Sequence, residues 1–153
     1  MPGDQEPYMD FSEFSKHYPN VTAGLRSLSA AMKEAGLDPT LTEIVKIRAS
    51  QLNGCAFCTS FHLSAARKLG VEQTKLDLLA AWRDSHVFSA REQAALAWTE
   101  RLTILSHAHL TETERAEAEH AFPGEEFAQL CTAIATINAW NRIAAGLGFP
   151  PPG

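Results

Sequence analysis

The stretch Asn53-Gly54-Cys55-Ala56-Phe57-Cys58-Thr59-Ser60-Phe61-His62 constrains the fold more than any other part of the chain. Before it, Asp38-Pro39 opens a helical pattern with apolar positions at Leu41, Ile44, Val45 and Leu52. Asn53-Gly54 breaks that pattern, because glycine takes the left-handed conformation that ends a helix without steric cost. A second helical pattern runs from about Cys55 to Leu69 and stops at Gly70. Residues 55, 58, 62, 65 and 69 share one stripe of it, since neighbours three and four apart lie on one helix face. Both thiols and the imidazole thus point the same way, beside Ala65 and Leu69, on a face expected to be buried.

Two helices joined by so short a turn run antiparallel. Counting equally away from the turn, position 45 stands opposite His62, and Glu43 is within about half a helical turn of that level. Glu43 sits among Leu41, Ile44 and Val45, so its carboxylate is expected to face the second helix. A capping role competes with this, because Thr40-x-x-Glu43 also fits a capping box. Asp38 is the better N-cap, since Pro39 then takes the favoured first helical position and Glu43 falls inside the helix. A carboxylate, an imidazole and a dithiol are expected in one small, largely apolar place.

Glu43, eleven residues, Cys55-x-x-Cys58, three residues and His62 resembles the motif of the AhpD-like alkylhydroperoxidases, within the carboxymuconolactone decarboxylase superfamily. Ile137-Asn138-Ala139-Trp140-Asn141-Arg142 is similar to a C-terminal helix segment of the shorter, single-motif members. The likeness spans about residues 20–148. It departs at one place: Phe57 stands where the founding enzymes carry a histidine just before the second cysteine. The resemblance implies an assembly of three or six chains with the site near subunit contacts. It also implies a lipoyl or other small dithiol as electron donor, and no metal or organic cofactor.

The remaining sequence is consistent with one all-α domain. At 153 residues the chain is long enough to bury a real core. Its net charge of −5 and pI near 5.6 argue against a nucleic-acid footprint, which needs a basic patch. No segment fits a membrane span, and the N-terminus lacks the basic and apolar regions of a signal peptide. Three cysteines, two of them in C-x-x-C, suit a cytoplasmic redox or metal protein better than a disulfide scaffold.

Residues 1–18 read as an N-terminal arm, with Phe11 and Phe14 anchoring a short helical turn. The helical domain covers 19–148, and 149–153 form a Pro-rich tail. Val21, Leu25, Leu28, Met32 and Ala35 make the apolar stripe of a helix ended by Gly36. A shorter helix runs from Glu72 to about Trp82. Ser89-x-x-Glu92 and Thr111-x-x-Glu114 are capping-box signatures, the first opening a helix through Trp98 to Leu105. The last long helix carries Phe127, Leu130, Ile134, Ile137 and Trp140, and is expected to stop before Gly146. The architecture is a bundle of about six to eight helices around the hairpin.

Outside the motif the signals are weaker. Cys131 reads as core packing, His107 and His109 as surface residues, and Asn138 and Asn141 as groups satisfying buried backbone or water. Trp82, Trp98 and Trp140 are core or interface aromatics.

Three functions compete. A thiol peroxidase would reduce a hydroperoxide at one cysteine and form a disulfide with the other, which an external dithiol then reopens. Spacing leaves the attacking residue open: a helix N-terminus acidifies Cys55, whereas a histidine four residues on activates Cys58. The resemblance assigns Cys58 as peroxidatic and Cys55 as resolving, with His62 and Glu43 as the proton relay. The second reading is a zinc site using Cys55, Cys58, His62 and Glu43. The third is a decarboxylase acting on a lactone, for which a dithiol has no obvious use.

Overall fold

The structure is a computed structural model that describes residues 8–152. Residues 1–7 of the expected arm lie outside the described residues. Within that range the protein is all-α. Helices α1 (Phe11–His17), α2 (Pro19–Glu34), α3 (Pro39–Leu52) and α4 (Ala56–Lys68) come first. Next are α5 (Gln73–Leu78), a 3-10 turn over Leu79–Ala81, α6 (Trp82–Ser85) and α7 (Ala90–Thr103). A 3-10 turn over Leu105–His107, α8 (Glu112–Ala121) and α9 (Glu125–Leu147) complete the bundle.

Helix α3 is the axis of the molecule, packed on α4, α7 and α9. A helix covered on several sides is apolar around most of its circumference rather than on one stripe. Leu41 and Val45 accordingly join Trp98, Phe122, Leu130 and Ile134 on one side. Ile44 and Ile47 join Leu79, Trp82 and Leu96 on another. A third, smaller cluster brings Phe14, Ala144 and Phe149 against the two cysteines. Asp38 is the N-cap of α3, accepting the Thr40 N–H at 2.9 Å.

Several local expectations are corrected by tertiary packing. The stripe of α2 faces mostly outward, with Val21 45% and Leu28 44% exposed. Leu69, on the motif stripe, is also exposed, because Ala66 rather than Leu69 meets the core at that end of α4. Leu105 leaves α7 for the 3-10 turn and is exposed. Helix α9 runs through Gly146 and stops at Gly148, whose φ of 70° supplies the left-handed cap. Ser89 caps α7 through the Glu92 N–H, but the reciprocal half of the box is missing. The Glu92 carboxylate instead accepts from Lys75 Nζ at 2.8 Å. Thr111 and Glu114 do form a complete box.

One polar junction ties α3, α6 and α7 together. The Glu100 carboxylate accepts from Arg48 Nε at 2.9 Å, Trp82 Nε1 at 2.8 Å and Arg83 Nη1 at 2.6 Å. Burial pushes its carboxyl up, but the bonds from Trp82, Arg83 and Arg48 together outweigh burial and hold it below the ordinary 4.5. A depressed folded value makes its contribution full above pH 4.5, to be lost as pH falls through that folded value. Glu100→Gln is expected to cost roughly 1–3 kcal/mol at neutral pH. It should also flatten the acid limb of a Tm-against-pH curve, and an acid limb identical to wild type would refute this account.

Candidate active site

The turn between α3 and α4 is built from two overlapping caps. Gly54, at φ 65°, donates its N–H to the Gln51 carbonyl at 3.2 Å, and Cys55 donates to the Ser50 carbonyl at 3.0 Å. These paired bonds close α3 with its last carbonyls satisfied. Cys55 then starts α4, its Sγ accepting the Cys58 N–H at 3.2 Å. No residue is left over between the two motifs, so the helices double back tightly. Cys55 and Cys58 are joined as a disulfide, with their Cα atoms 5.3 Å apart. Reduced, the Cys55 sulfur would sit at the positive end of a helix, where a thiolate is favoured.

Cys58, only 3% exposed, lines a cavity of about 200 Å³ together with His62, Glu43 and Lys46. Glu43 Oε2 lies 2.7 Å from His62 Nδ1, and Oε1 lies 3.4 Å from Lys46 Nζ. The carboxylate therefore fixes the ring through Nδ1 and leaves Nε2 as the nitrogen that can trade a proton with the cavity. Burial pushes the Glu43 carboxyl up, but the hydrogen bond and charge of His62, supported by Lys46, hold it below the ordinary 4.5. Glu43 is thus a charged partner rather than a cap.

The other cysteine borders a second hollow. Cys55 borders an open groove with Gly54, Gln51, Ala56, Leu63 and Arg67. Cys58 is thus on the cavity wall and Cys55 on the groove wall.

A buried amide chain anchors the turn to α9. Asn53 Nδ2 donates to Asn141 Oδ1 at 2.8 Å and to Asn138 Oδ1 at 3.0 Å. Asn141 Nδ2 donates to Ser50 Oγ at 3.0 Å, and Ser50 donates to the Lys46 carbonyl at 2.7 Å. Asn138 Nδ2 continues to Thr103 Oγ1 at 3.1 Å. The two asparagines of α9 therefore satisfy the side chain beside the cysteine turn, and Asn138 Nδ2 also donates to the Ile134 carbonyl at 2.9 Å, as expected of a group meeting backbone. Asn141 is 1% exposed, so Asn141→Ala leaves buried polar groups without partners. A loss of roughly 1–3 kcal/mol is expected in denaturant unfolding.

Aromatic side chains enclose the cavity. Phe57, at the position where the motif resembles a histidine-bearing one, is part of that wall with Phe11, Phe61 and Trp140. Phe11 contacts Phe57 at 5.3 Å, Trp140 at 5.9 Å and Phe149 at 6.0 Å between ring centroids. Helix α1 thereby walls the site through Phe11, and Phe149 at the start of the Pro-rich tail packs behind it on Phe11 and Phe57.

Glu43, Cys58 and His62 share the cavity, and Cys55 closes the disulfide from the other side. Sequence reasoning missed Lys46, one turn beyond Glu43 on the same helix, and Arg26, which reaches the cavity from α2. Lys46 was detectable from its i+3 spacing to Glu43; Arg26 carries no local signal. The two sulfurs that the zinc reading needs as ligands are bonded to each other in this structure. Among the described residues no three His, Cys, Asp or Glu side chains are grouped to hold a metal ion. No helix among them is long and apolar enough to cross a membrane.

Comparison with known proteins places this geometry. Residues 19–101 match the model of the carboxymuconolactone decarboxylase family. The uncharacterized protein YdfG of Bacillus subtilis is 34% identical over 116 residues, 76% of this chain and 79% of that protein. A crystal structure from Agrobacterium tumefaciens, of unknown function and provisionally assigned to antioxidant defence as an AhpD, superposes with a TM-score of 0.88 at 28% identity. That match covers 97% of this chain and 99% of the other. An uncharacterized peroxidase-related protein with an alkylhydroperoxidase AhpD core, from Ralstonia eutropha, shares the fold with a TM-score of 0.79 at 20% identity. It covers 99% of this chain and 80% of its own. The glutamate-backed Cys-x-x-Cys hairpin therefore sits in an AhpD-like fold, and the chain belongs to the carboxymuconolactone decarboxylase family.

Proposed function

We propose that the protein is a thiol-dependent peroxidase that reduces organic hydroperoxides at Cys58 and is recycled by a dithiol donor. The observation that carries this reading is the shared cavity of Cys58, His62 and Glu43, with Cys55 close enough to close a disulfide.

In the reduced protein, His62 takes the Cys58 proton while Glu43 holds the resulting imidazolium. The Cys58 thiolate attacks the terminal peroxide oxygen, so an S–O bond forms and the O–O bond breaks. The leaving alkoxide takes the proton back from His62 and departs as an alcohol. The Cys55 thiolate then attacks Cys58 Sγ, expelling hydroxide, which is protonated to water. That produces the disulfide present in the structure. A donor thiolate entering by the open groove attacks Cys55 Sγ and releases Cys58 as a thiolate. The donor's second thiol displaces Cys55 and leaves as a cyclic disulfide. The sum is one hydroperoxide and one dithiol to one alcohol, one water and one disulfide. A lipoyl-type dithiol in the cytoplasm meets the chemistry of that second half. Peroxide consumption driven by dihydrolipoamide tests the whole cycle, and no consumption beyond the uncatalysed rate would sink it.

The same reading includes a homo-trimer or homo-hexamer. Trp82 and Trp98 are spent in the core of the single chain. Val21 and Leu28 on α2, with Phe61 at the cavity, remain exposed and are the apolar surface available for a cyclic contact. Light scattering at micromolar concentration is expected to give a multiple of the chain mass. Leu28→Asp is expected to lower that mass and the peroxidase rate together. A fully active monomer would overturn this part.

A further inference from the structure

The cavity wall carries two cations, although the chain as a whole carries a net charge of −5. Lys46 Nζ has three N–H donors, yet its one acceptor among the described residues is Glu43 Oε1 at 3.4 Å. Its side chain is only 14% exposed. An ammonium so far removed from water is costly unless more of its donors are met. Glu43 has little more to give, because its other oxygen is committed to His62 at 2.7 Å. Arg26 enters the same cavity from α2, and makes no hydrogen bond or ion pair with another described residue. Two cations thus face one carboxylate that is already shared. The same wall also carries Phe57, Phe61, Ile137 and Trp140.

We infer that the preferred substrate is an amphipathic hydroperoxide bearing a carboxylate, with Arg26 and Lys46 binding the carboxylate and the aromatic wall its body. Arg26 is the specificity-determining residue. Its guanidinium can hold a carboxylate through two parallel N–H bonds, and it is not engaged in the proton relay. Lys46 is the second cation of the anion site and shares its charge with Glu43. Cys58 lines the same cavity, so a body long enough to reach from cations to sulfur presents its peroxide to the thiolate. A neutral hydroperoxide fills the apolar part and leaves both cations unmet. The inference rests on the peroxidase reading for its chemistry, but its binding part stands without turnover.

The test uses cumene hydroperoxide and its para-carboxylate, identical at the peroxide and differing by one charge. The full chain is assayed with dihydrolipoamide in excess. The para-carboxylate is expected to show a kcat/KM roughly tenfold higher, the scale of one charge-assisted contact. That advantage should shrink as salt rises, since Arg26 is exposed at the mouth. Arg26→Gln should bring the ratio of the two kcat/KM values close to one, and Arg26→Glu should invert it. A variant that merely loosened the fold would lower both rates and keep their ratio.

A second arm measures equilibrium binding of the corresponding alcohol, 4-(2-hydroxypropan-2-yl)benzoate, by calorimetry. Saturable binding that weakens roughly tenfold in Arg26→Gln supports the site even if neither peroxide is consumed. That outcome would remove the peroxidase reading alone. Equal kcat/KM values for the two peroxides in wild type, or a ratio that Arg26→Gln leaves in place, overturns the inference. So does the absence of saturable alcohol binding.

Discussion

Cys58→Ser is expected to abolish dithiol-driven peroxide consumption, down to the rate of dithiol and peroxide in buffer. Serine keeps the volume and the helix but replaces the one atom that can form the S–O bond from inside the cavity. Cys55→Ser should behave differently. Its Cys58 thiol can still be oxidised, but no neighbouring sulfur can resolve the sulfenic acid, so one peroxide is consumed per chain and turnover stops. Trapping with dimedone followed by mass measurement should find one adduct on Cys58 and none on Cys131. Cys131 is tied to Trp98, whose Nε1 donates to its sulfur at 3.3 Å, and it lies in a different core cluster from the disulfide. An adduct on Cys55 in the Cys58→Ser protein, with peroxide still consumed, would reverse the two roles.

His62→Gln and Glu43→Gln are each expected to slow turnover by roughly 10²–10⁴-fold, the range for losing a positioned acid–base group. The two losses should not add, because Glu43 acts by holding His62 at 2.7 Å. The pH behaviour separates this role from a structural one. Glu43 has a folded value below 4.5, so the pair's contribution to stability is intact above pH 4.5 and is lost as pH falls through the folded value. Wild type should therefore lose Tm steeply in acid, and Glu43→Gln less so, while the kinetic defect persists at neutral pH. A Glu43→Gln protein with normal peroxide kinetics and an altered Tm would return Glu43 to a purely structural role.

The central hairpin was legible in the sequence because each of its signals is local. Asp38-Pro39 sets the start of α3, and Asn53-Gly54 sets its end. Cys55, Cys58 and His62 share a face through helical spacing alone. Glu43 could be placed opposite them by counting from a two-residue turn. The all-α class followed from apolar periodicity throughout the chain, and the family from the motif.

Elsewhere, local pattern misled. The apolar stripe of α2 is as regular as any in the chain, yet Val21 and Leu28 stay outside. Periodicity reports which residues share a face, not whether another helix of the same chain covers it. The half-formed box at Ser89 fails for a related reason: Lys75, seventeen residues before Glu92, competes for the carboxylate.

By itself the sequence determined the helical hairpin, the face that holds the dithiol and imidazole, and the carboxylate within reach of them. Those depend on helix periodicity and turn chemistry, which act over a few residues. Only the tertiary structure decided that Cys58 borders an aromatic cavity and Cys55 a separate, open groove. It alone brought Arg26 to that cavity, and Asn138 and Asn141 to the side chain of Asn53. Those contacts join residues up to 88 positions apart, and they exist because α2, α3 and α9 pack side by side. No spacing in a linear chain encodes which helix faces will meet.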